Sequence, residues 1–299
     1  MDTAAGDFHT REGFCHVPNL ISDEEAATLA RELECISGLP AGDNSSVLSG
    51  ARRPYYRHGV VASNPGLWPL LIHPRLVQAL TYVLYGSPPR CLPGIDTAGM
   101  HASETEPHRD ASPGELPVMA DNPSSAICPV VRVILYPGSP GEQFGLLPCS
   151  HRRSGRVGDL VEDGRASWRW ITLRKGDAVL FDPRLIHAGA IVTRPKPMIV
   201  LTYGADGPHS LQTYFHARIR TRQLGFPDPS PPLIDLLESK NLLLAGMLDS
   251  ANRDYFFRLW STASEPPLQP EPPNRRPRWA YATMGPLPEG SMMPASAQV

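Results

Sequence analysis

Two histidines and one carboxylate carry the clearest chemical signal in the chain. His108-Arg109-Asp110 closes a polar stretch that begins at His101. His187 lies just past an apolar run, in the segment 176–189, Gly-Asp-Ala-Val-Leu-Phe-Asp-Pro-Arg-Leu-Ile-His-Ala-Gly. Residues i and i+2 of a strand point to the same face, so His108 and Asp110 can converge on one ion. A histidine from a neighbouring strand completes a three-ligand face and leaves the opposite positions open. Two imidazoles and a carboxylate suit ferrous iron that must also accept a chelating co-substrate and dioxygen. The string His-Arg-Asp also occurs in kinase catalytic loops. That reading fails because Glu115 stands where the loop needs Asn, with no glycine-rich phosphate loop upstream and no Asp-Phe-Gly downstream. A zinc hydrolase of the H-E-x-x-H type has no support, since the motif is absent.

These residues need a scaffold, and the rest of the chain describes one. Ser22-Asp23-Glu24-Glu25 is a helix-start signature, and Ala26, Leu29, Ala30 and Leu33 recur at helical spacing, which predicts a helix over 23–37. Residues 39–64, rich in Gly, Ser, Asn and Arg, read mainly as loop, and 65–85 as two helices broken near Pro74. After Gly86 the segments 130–136, 178–181 and 198–203 are short, β-branched and bounded by Gly or Pro, and they read as strands. Helical patterns return at 231–248 and 251–261. Helices first and short strands later give an α+β layout with a mainly β core, a sandwich or barrel. The 34 prolines and 25 glycines among 299 residues also speak against a helical bundle.

Composition limits the function further. Lys and Arg number 28 against 30 Asp and Glu, a formal charge of -2 without the basic surplus of a nucleic-acid binder. Cys15, Cys35, Cys91, Cys128 and Cys149 are scattered and form no C-x-x-C pair, which fits a reducing compartment better than a disulfide framework. No apolar run approaches the roughly 20 residues of a membrane span. The first residues lack the basic and apolar regions of a secretory signal. The expectation is a soluble, cytoplasmic protein with neither a membrane nor a nucleic-acid partner.

Taken in order, the pieces resemble the phytanoyl-CoA dioxygenase family of Fe(II)/2-oxoglutarate oxygenases. The resemblance starts at Gly13-Phe14-Cys15-His16-Val17-Pro18 and the helix start that follows, and passes through His108-Arg109-Asp110 and Arg132-Val133-Ile134-Leu135-Tyr136. It then takes in Gly145-Leu146-Leu147-Pro148-Cys149-Ser150-His151-Arg152 and closes on the segment around His187. It implies a double-stranded β-helix, a cupin-like jelly roll of two antiparallel sheets with flanking helices. The implied domain is 1–263, with the jelly-roll core at about 86–220 and C-terminal helices at about 231–262; a proline-rich tail, 264–299, follows, which Trp279 and Tyr281 could anchor. The resemblance also implies His108, Asp110 and His187 as both metal ligands and catalytic centre, with Fe(II), 2-oxoglutarate and dioxygen as cofactor and co-substrates. His151 falls in a turn and reads as structural.

The far carboxylate of 2-oxoglutarate needs a fixed cation. Arg194 and Lys196 follow His187 at a spacing shorter than the family's usual arginine, and Arg132 sits in an otherwise apolar strand. All three are candidates for binding this co-substrate, although Arg132 reads equally well as an outward-facing residue. Arg184 could instead brace the metal-side loop through Asp182. Cys149 stands where the family has glycine, and would be strained if the turn demands a positive φ. Asp110 itself argues against the halogenating branch, which leaves that position free for chloride. The implied reaction is oxidation of an unactivated C–H bond of a small molecule, by hydroxylation, desaturation or epoxidation, in natural-product biosynthesis. A cupin-type metalloenzyme without 2-oxoglutarate and a non-catalytic jelly-roll binding module are the competing readings. The segment Arg52–His58 offers a rim for an anionic or aromatic molecule, or a solvated loop. The helices after 231 read as a lid or a self-association element that would make a homodimer.

Overall fold

A computed structural model of the protein describes residues 11–38, 56–101, 105–111, 129–138, 141–153, 155–162, 168–189, 196–222 and 228–262. Arg194, Glu115, residues 52–55 and the tail 264–299 lie outside the described residues. Among the described residues, eleven strands form two antiparallel sheets. The larger contains β1 (Phe14–Val17), β2 (Tyr56–His58), β3 (Arg90–Cys91), β4 (Thr97–His101), β6 (Val130–Leu135), β9 (Ala178–Phe181) and β11 (Lys196–Gly204). Its order is β1-β9-β6-β11-β4-β2, with β3 also paired to β11. The smaller runs β5-β10-β7-β8, from β5 (Thr105–His108), β7 (Glu142–Leu146), β8 (Arg169–Leu173) and β10 (His187–Gly189). This is the expected jelly roll with helices packed on one side.

Side-chain alternation along the large sheet divides the core in two. Val131, Val133, Leu135, Leu180, Ile199, Leu201 and Tyr203 face the helices, where they meet Leu29, Leu33, Leu76 and Leu80. Ile134, Tyr136, Val179, Phe181, Met198 and Val200 face the small sheet and pack with Phe144, Leu146 and Leu173. The first helix, α1 (Asp23–Ser37), begins where the acidic cluster predicts. The Ser22 hydroxyl accepts from Glu25 N at 3.2 Å, and Glu25 Oε2 accepts from Ser22 N at 2.8 Å.

Some expectations about elements hold and others need refining. The 39–64 stretch is not all loop, since β2 and a short helix, α2 (Val60–Ser63), occupy its described end. The 65–85 stretch does contain helices α3 (Trp68–Leu71) and α4 (Pro74–Val83), as predicted. After α5 (Val157–Glu162), a helix that the sequence did not suggest, α6 (Pro208–Arg222), follows β11 directly. The 231–248 pattern is helical only over α7 (Pro231–Ser239); there Asn241 turns left-handed (φ 55°). Leu242 and Leu243 then run beside Cys91, whose N–H donates to the Leu242 carbonyl at 2.8 Å. The last helix, α8 (Ser250–Thr262), agrees with the sequence. The described residues up to Arg258 belong to one compact unit. No helix among the described residues is long and apolar enough to cross a membrane.

Candidate metal centre

The two sheets meet at one end of the barrel, and the three expected ligands meet there too. His108 is the last residue of β5 and His187 the first of β10, directly opposite each other in the antiparallel ladder. Their ring centroids are 4.2 Å apart. Asp110 follows β5 and is held by its backbone, because Asp110 N and Ala111 N both donate to the Pro183 carbonyl at 3.0 Å. Asp110 Oδ1 then lies 3.8 Å from Nε2 of each histidine. One ligand atom from each of the three residues falls within 4.8 Å of the others.

Hydrogen bonds decide which nitrogens are free to face an ion. Nδ1 of His108 donates to the Glu106 carbonyl at 2.8 Å, and Nδ1 of His187 to the Leu185 carbonyl at 2.9 Å. A carbonyl only accepts, so both Nδ1 atoms carry the proton and both Nε2 lone pairs point to the centre. Burial lowers the pKa of His187 to about 4 despite the pull of Asp110, which keeps the ring neutral and ready to bind a cation. Phe181 and Phe144 close its other sides, with centroids at 4.8 and 5.6 Å. Burial pushes the Asp110 carboxyl up, but Arg132, His187 and His108 together outweigh it and hold the group below the ordinary carboxylate value. The donor set therefore fits a divalent ion. Cis ligands on an octahedral ion at about 2.1 Å stand about 3.0 Å apart, so this triangle needs only a small inward movement.

Three loops knit this end together. Asp182 and Arg184 form a buried pair, with Nη2 to Oδ2 at 2.6 Å, as the brace reading expects. Ile186 N donates to Ser150 Oγ at 2.8 Å, and Arg109 Nη2 to the carbonyls of Ser150 and Arg153 at 2.9 and 2.7 Å. His151 is buried in this turn and lies away from the ligand cluster, in agreement with a structural role. It also explains Gly13, which has φ 89° and where a Cβ would come within 2.5 Å of His151 Nδ1. Cys149 does adopt the left-handed conformation, at φ 63°.

Arg132 and Lys196 both point into the barrel. Arg132 shares the face of Ile134 and Tyr136, and Lys196 that of Met198 and Val200. The outward-facing alternative for Arg132 is therefore overturned. Its Nε lies 3.0 Å from Asp110 Oδ2, while Nη1 donates to Thr202 Oγ1 at 2.6 Å and to the Ile95 carbonyl at 3.2 Å. Lys196 is 1% exposed, and its Nζ sits 4.4 Å from the Tyr136 ring centroid. Sequence reasoning placed His58 only within a rim segment. On edge strand β2 it pairs with Thr97, its Nδ1 lies 3.0 Å from Thr97 Oγ1, and its charge acts on Asp110.

No family model matches the sequence, and no curated protein is similar to it. Solved structures do match. The α-ketoglutarate-dependent carbocyclase SnoK from nogalamycin biosynthesis superposes with a TM-score of 0.52 at 17% identity, covering 69% of this chain and 85% of its own. HygX from Streptomyces hygroscopicus, with nickel and 2-oxoglutarate bound, gives 0.51 at 19%, over 69% and 87%. EctD from S. alaskensis, with 2-oxoglutarate and 5-hydroxyectoine, gives 0.51 at 18%, over 69% and 76%. The chain shares their fold. It is the jelly roll that the sequence resemblance implied.

Proposed function

We propose that the protein is an Fe(II)/2-oxoglutarate-dependent oxygenase that oxidises a C–H bond of a small molecule in natural-product biosynthesis. The convergence of His108 Nε2, Asp110 Oδ1 and His187 Nε2 carries this reading. The fold shared with SnoK, HygX and EctD, whose names and ligands point to such chemistry, supports it. Iron(II) held by the three residues, with 2-oxoglutarate and dioxygen, supplies the power to oxidise an unactivated C–H bond, with succinate and carbon dioxide as co-products.

The chain's own groups divide the remaining work. Lys196 grips the far carboxylate of 2-oxoglutarate from inside the barrel, where burial makes one ammonium effective. Arg194 stays a candidate for the same task. Phe144 and Phe181 exclude water behind His187, while His108, 41% exposed, marks the open side from which a substrate arrives. His58 and Thr97 line the inner face of the large sheet beside it. Hydroxylation is the default outcome.

The protein with Fe(II) and 2-oxoglutarate should form succinate in an oxygen-dependent manner, and His108→Ala should not. Full turnover by His108→Ala would overturn the ligand assignment. Should 2-oxoglutarate leave the absorption of the Fe(II)-loaded protein unchanged, a cupin-type metalloenzyme without this co-substrate becomes the better reading. A melting temperature indifferent to Fe(II) and Mn(II) would instead favour a binding module, because a real site stabilises by linkage.

A further inference from the structure

We propose that Arg132 is the positioning residue of the metal centre: it holds Oδ2 of Asp110 so that only Oδ1 turns to the metal. The inference rests on the reading of His108, Asp110 and His187 as ligands. The two carboxylate oxygens have different surroundings. Oδ1 lies 3.8 Å from both ligating nitrogens, whereas Oδ2 lies 3.0 Å from Nε of Arg132. The guanidinium is itself fixed, since Nη1 donates to Thr202 Oγ1 at 2.6 Å and to the Ile95 carbonyl at 3.2 Å. Thr202 stands directly opposite Arg132 in the β6–β11 ladder, so the clamp is built into the strand register. The carboxylate cannot rotate about Cβ–Cγ without losing the Arg132 ion pair.

The consequence concerns coordination number. A free carboxylate can bind an ion through both oxygens and occupy two positions. Held by Arg132, Asp110 occupies one. An octahedral ion then keeps three positions beyond the protein ligands, enough for a chelating co-substrate and one further molecule. With a two-oxygen Asp110, only two positions would remain and the chelator would fill them. A lysine at 132 could offer charge but not the planar fork that meets Oδ2, Thr202 and Ile95 at once. Arg132 thereby leaves the task of anchoring 2-oxoglutarate to the other basic residues.

Arg132→Met, Arg132→Lys, Thr202→Val and Lys196→Ala in the full chain test this, with Mn(II) affinity by calorimetry and the visible spectrum of the Co(II)-loaded protein as readouts. Loss of an outer partner typically costs about 10- to 100-fold in metal affinity. Arg132→Met should show such a loss and a changed Co(II) spectrum; Arg132→Lys should recover part of the affinity, and Thr202→Val should lose affinity by a smaller factor. Lys196→Ala should leave both readouts alone and weaken 2-oxoglutarate binding to the metal-loaded protein. Arg132→Met with wild-type or tighter Mn(II) affinity and an unchanged spectrum would overturn the inference. So would Arg132→Met that keeps its metal but loses 2-oxoglutarate. If Arg132→Met fails to fold, wild-type Mn(II) affinity in Thr202→Val overturns it equally. A wild-type protein that binds no metal would sink the ligand reading itself, and the two failures are thus separable.

Discussion

The two sheets of the barrel are built differently, and the difference separates stability from chemistry. Strands β6, β9 and β11 of the large sheet are buried almost throughout, with one face on the helices and the other on the small sheet. The small sheet is more open. β8 is largely exposed or half-buried, and His108 at the end of β5 is 41% exposed. Two of the three proposed metal ligands nevertheless lie on the small sheet, and the residues that hold Asp110 or point into the barrel beside it, Arg132, Thr202 and Lys196, come from the large one. A buried wall thus carries the supporting groups, and a thinner wall carries the two histidines of the proposed centre and opens towards solvent.

Substituting one residue on each wall should break this comparison most sharply. Leu201, fully buried between β11 and the helices, should cost about 2–5 kcal/mol of stability as Leu201→Ala while Mn(II) affinity stays near wild type. His108→Ala should do the reverse. Its metal-free melting temperature should stay close to that of the parent, but the stabilisation by added Mn(II), about 2.7 kcal/mol at a hundredfold excess over Kd, should vanish. Thermal melts with and without metal on both variants measure the contrast. If Leu201→Ala lost metal binding as fully as His108→Ala, the two walls would not be separable.

The acid side of the stability profile offers a finer test. His187 has its pKa lowered from 6.5 to about 4 in the folded protein, first by burial. Below about pH 6.5 the unfolded chain takes up a proton there that the folded chain refuses, so metal-free stability should fall as pH drops from 6.5 towards 4 and level off beneath it. The full loss is about 3 kcal/mol, at 1.36 kcal/mol per pKa unit. Asp110 works in the same direction, since its pKa is also held down, but its contribution is lost only as pH falls below the ordinary carboxylate range. Urea melts between pH 4 and 7 on the parent and His187→Gln should show the first slope in the parent alone. An equal slope in both would place the proton uptake elsewhere.

Much of this centre was legible before any coordinates because its signals are local. His108 and Asp110 are two residues apart, and the 176–189 segment announces a strand, a turn and a histidine. The direction of Arg132 was not legible, for a physical reason. Both faces of β6 are buried, so its run of apolar residues has no polar side to reveal the pleat. The place of His58 beside the centre was not legible because it depends on pairing with β4, nearly 40 residues away. Helix α6 was missed since it buries Ser210, Gln212 and Arg218 beside Tyr214 and Phe215, so no clean apolar stripe marks it. The 231–248 pattern overran its helix because Leu242 and Leu243 serve a contact with β3 instead.

The smallest effect concerns the loop that leaves β7 of the small sheet and hydrogen-bonds to the residues just before β1. Cys149 sits at φ 63° and ψ 0°, a conformation that costs an ordinary residue about 1–2 kcal/mol and glycine almost nothing. Part of that cost is offset by its Sγ, which lies 3.2 Å from the Arg11 carbonyl, and glycine adds freedom to the unfolded chain. Cys149 N donates to the Glu12 carbonyl at 3.0 Å, a bond that glycine keeps. The balance favours Cys149→Gly by about 0.5–1 kcal/mol, seen as a rise in melting temperature with unchanged metal affinity. Cys149→Ala keeps the strained backbone and loses the sulfur contact, so it should melt below the parent. Were alanine and glycine to melt alike, the φ angle would not be the source of the effect, and the sulfur would matter more than the turn.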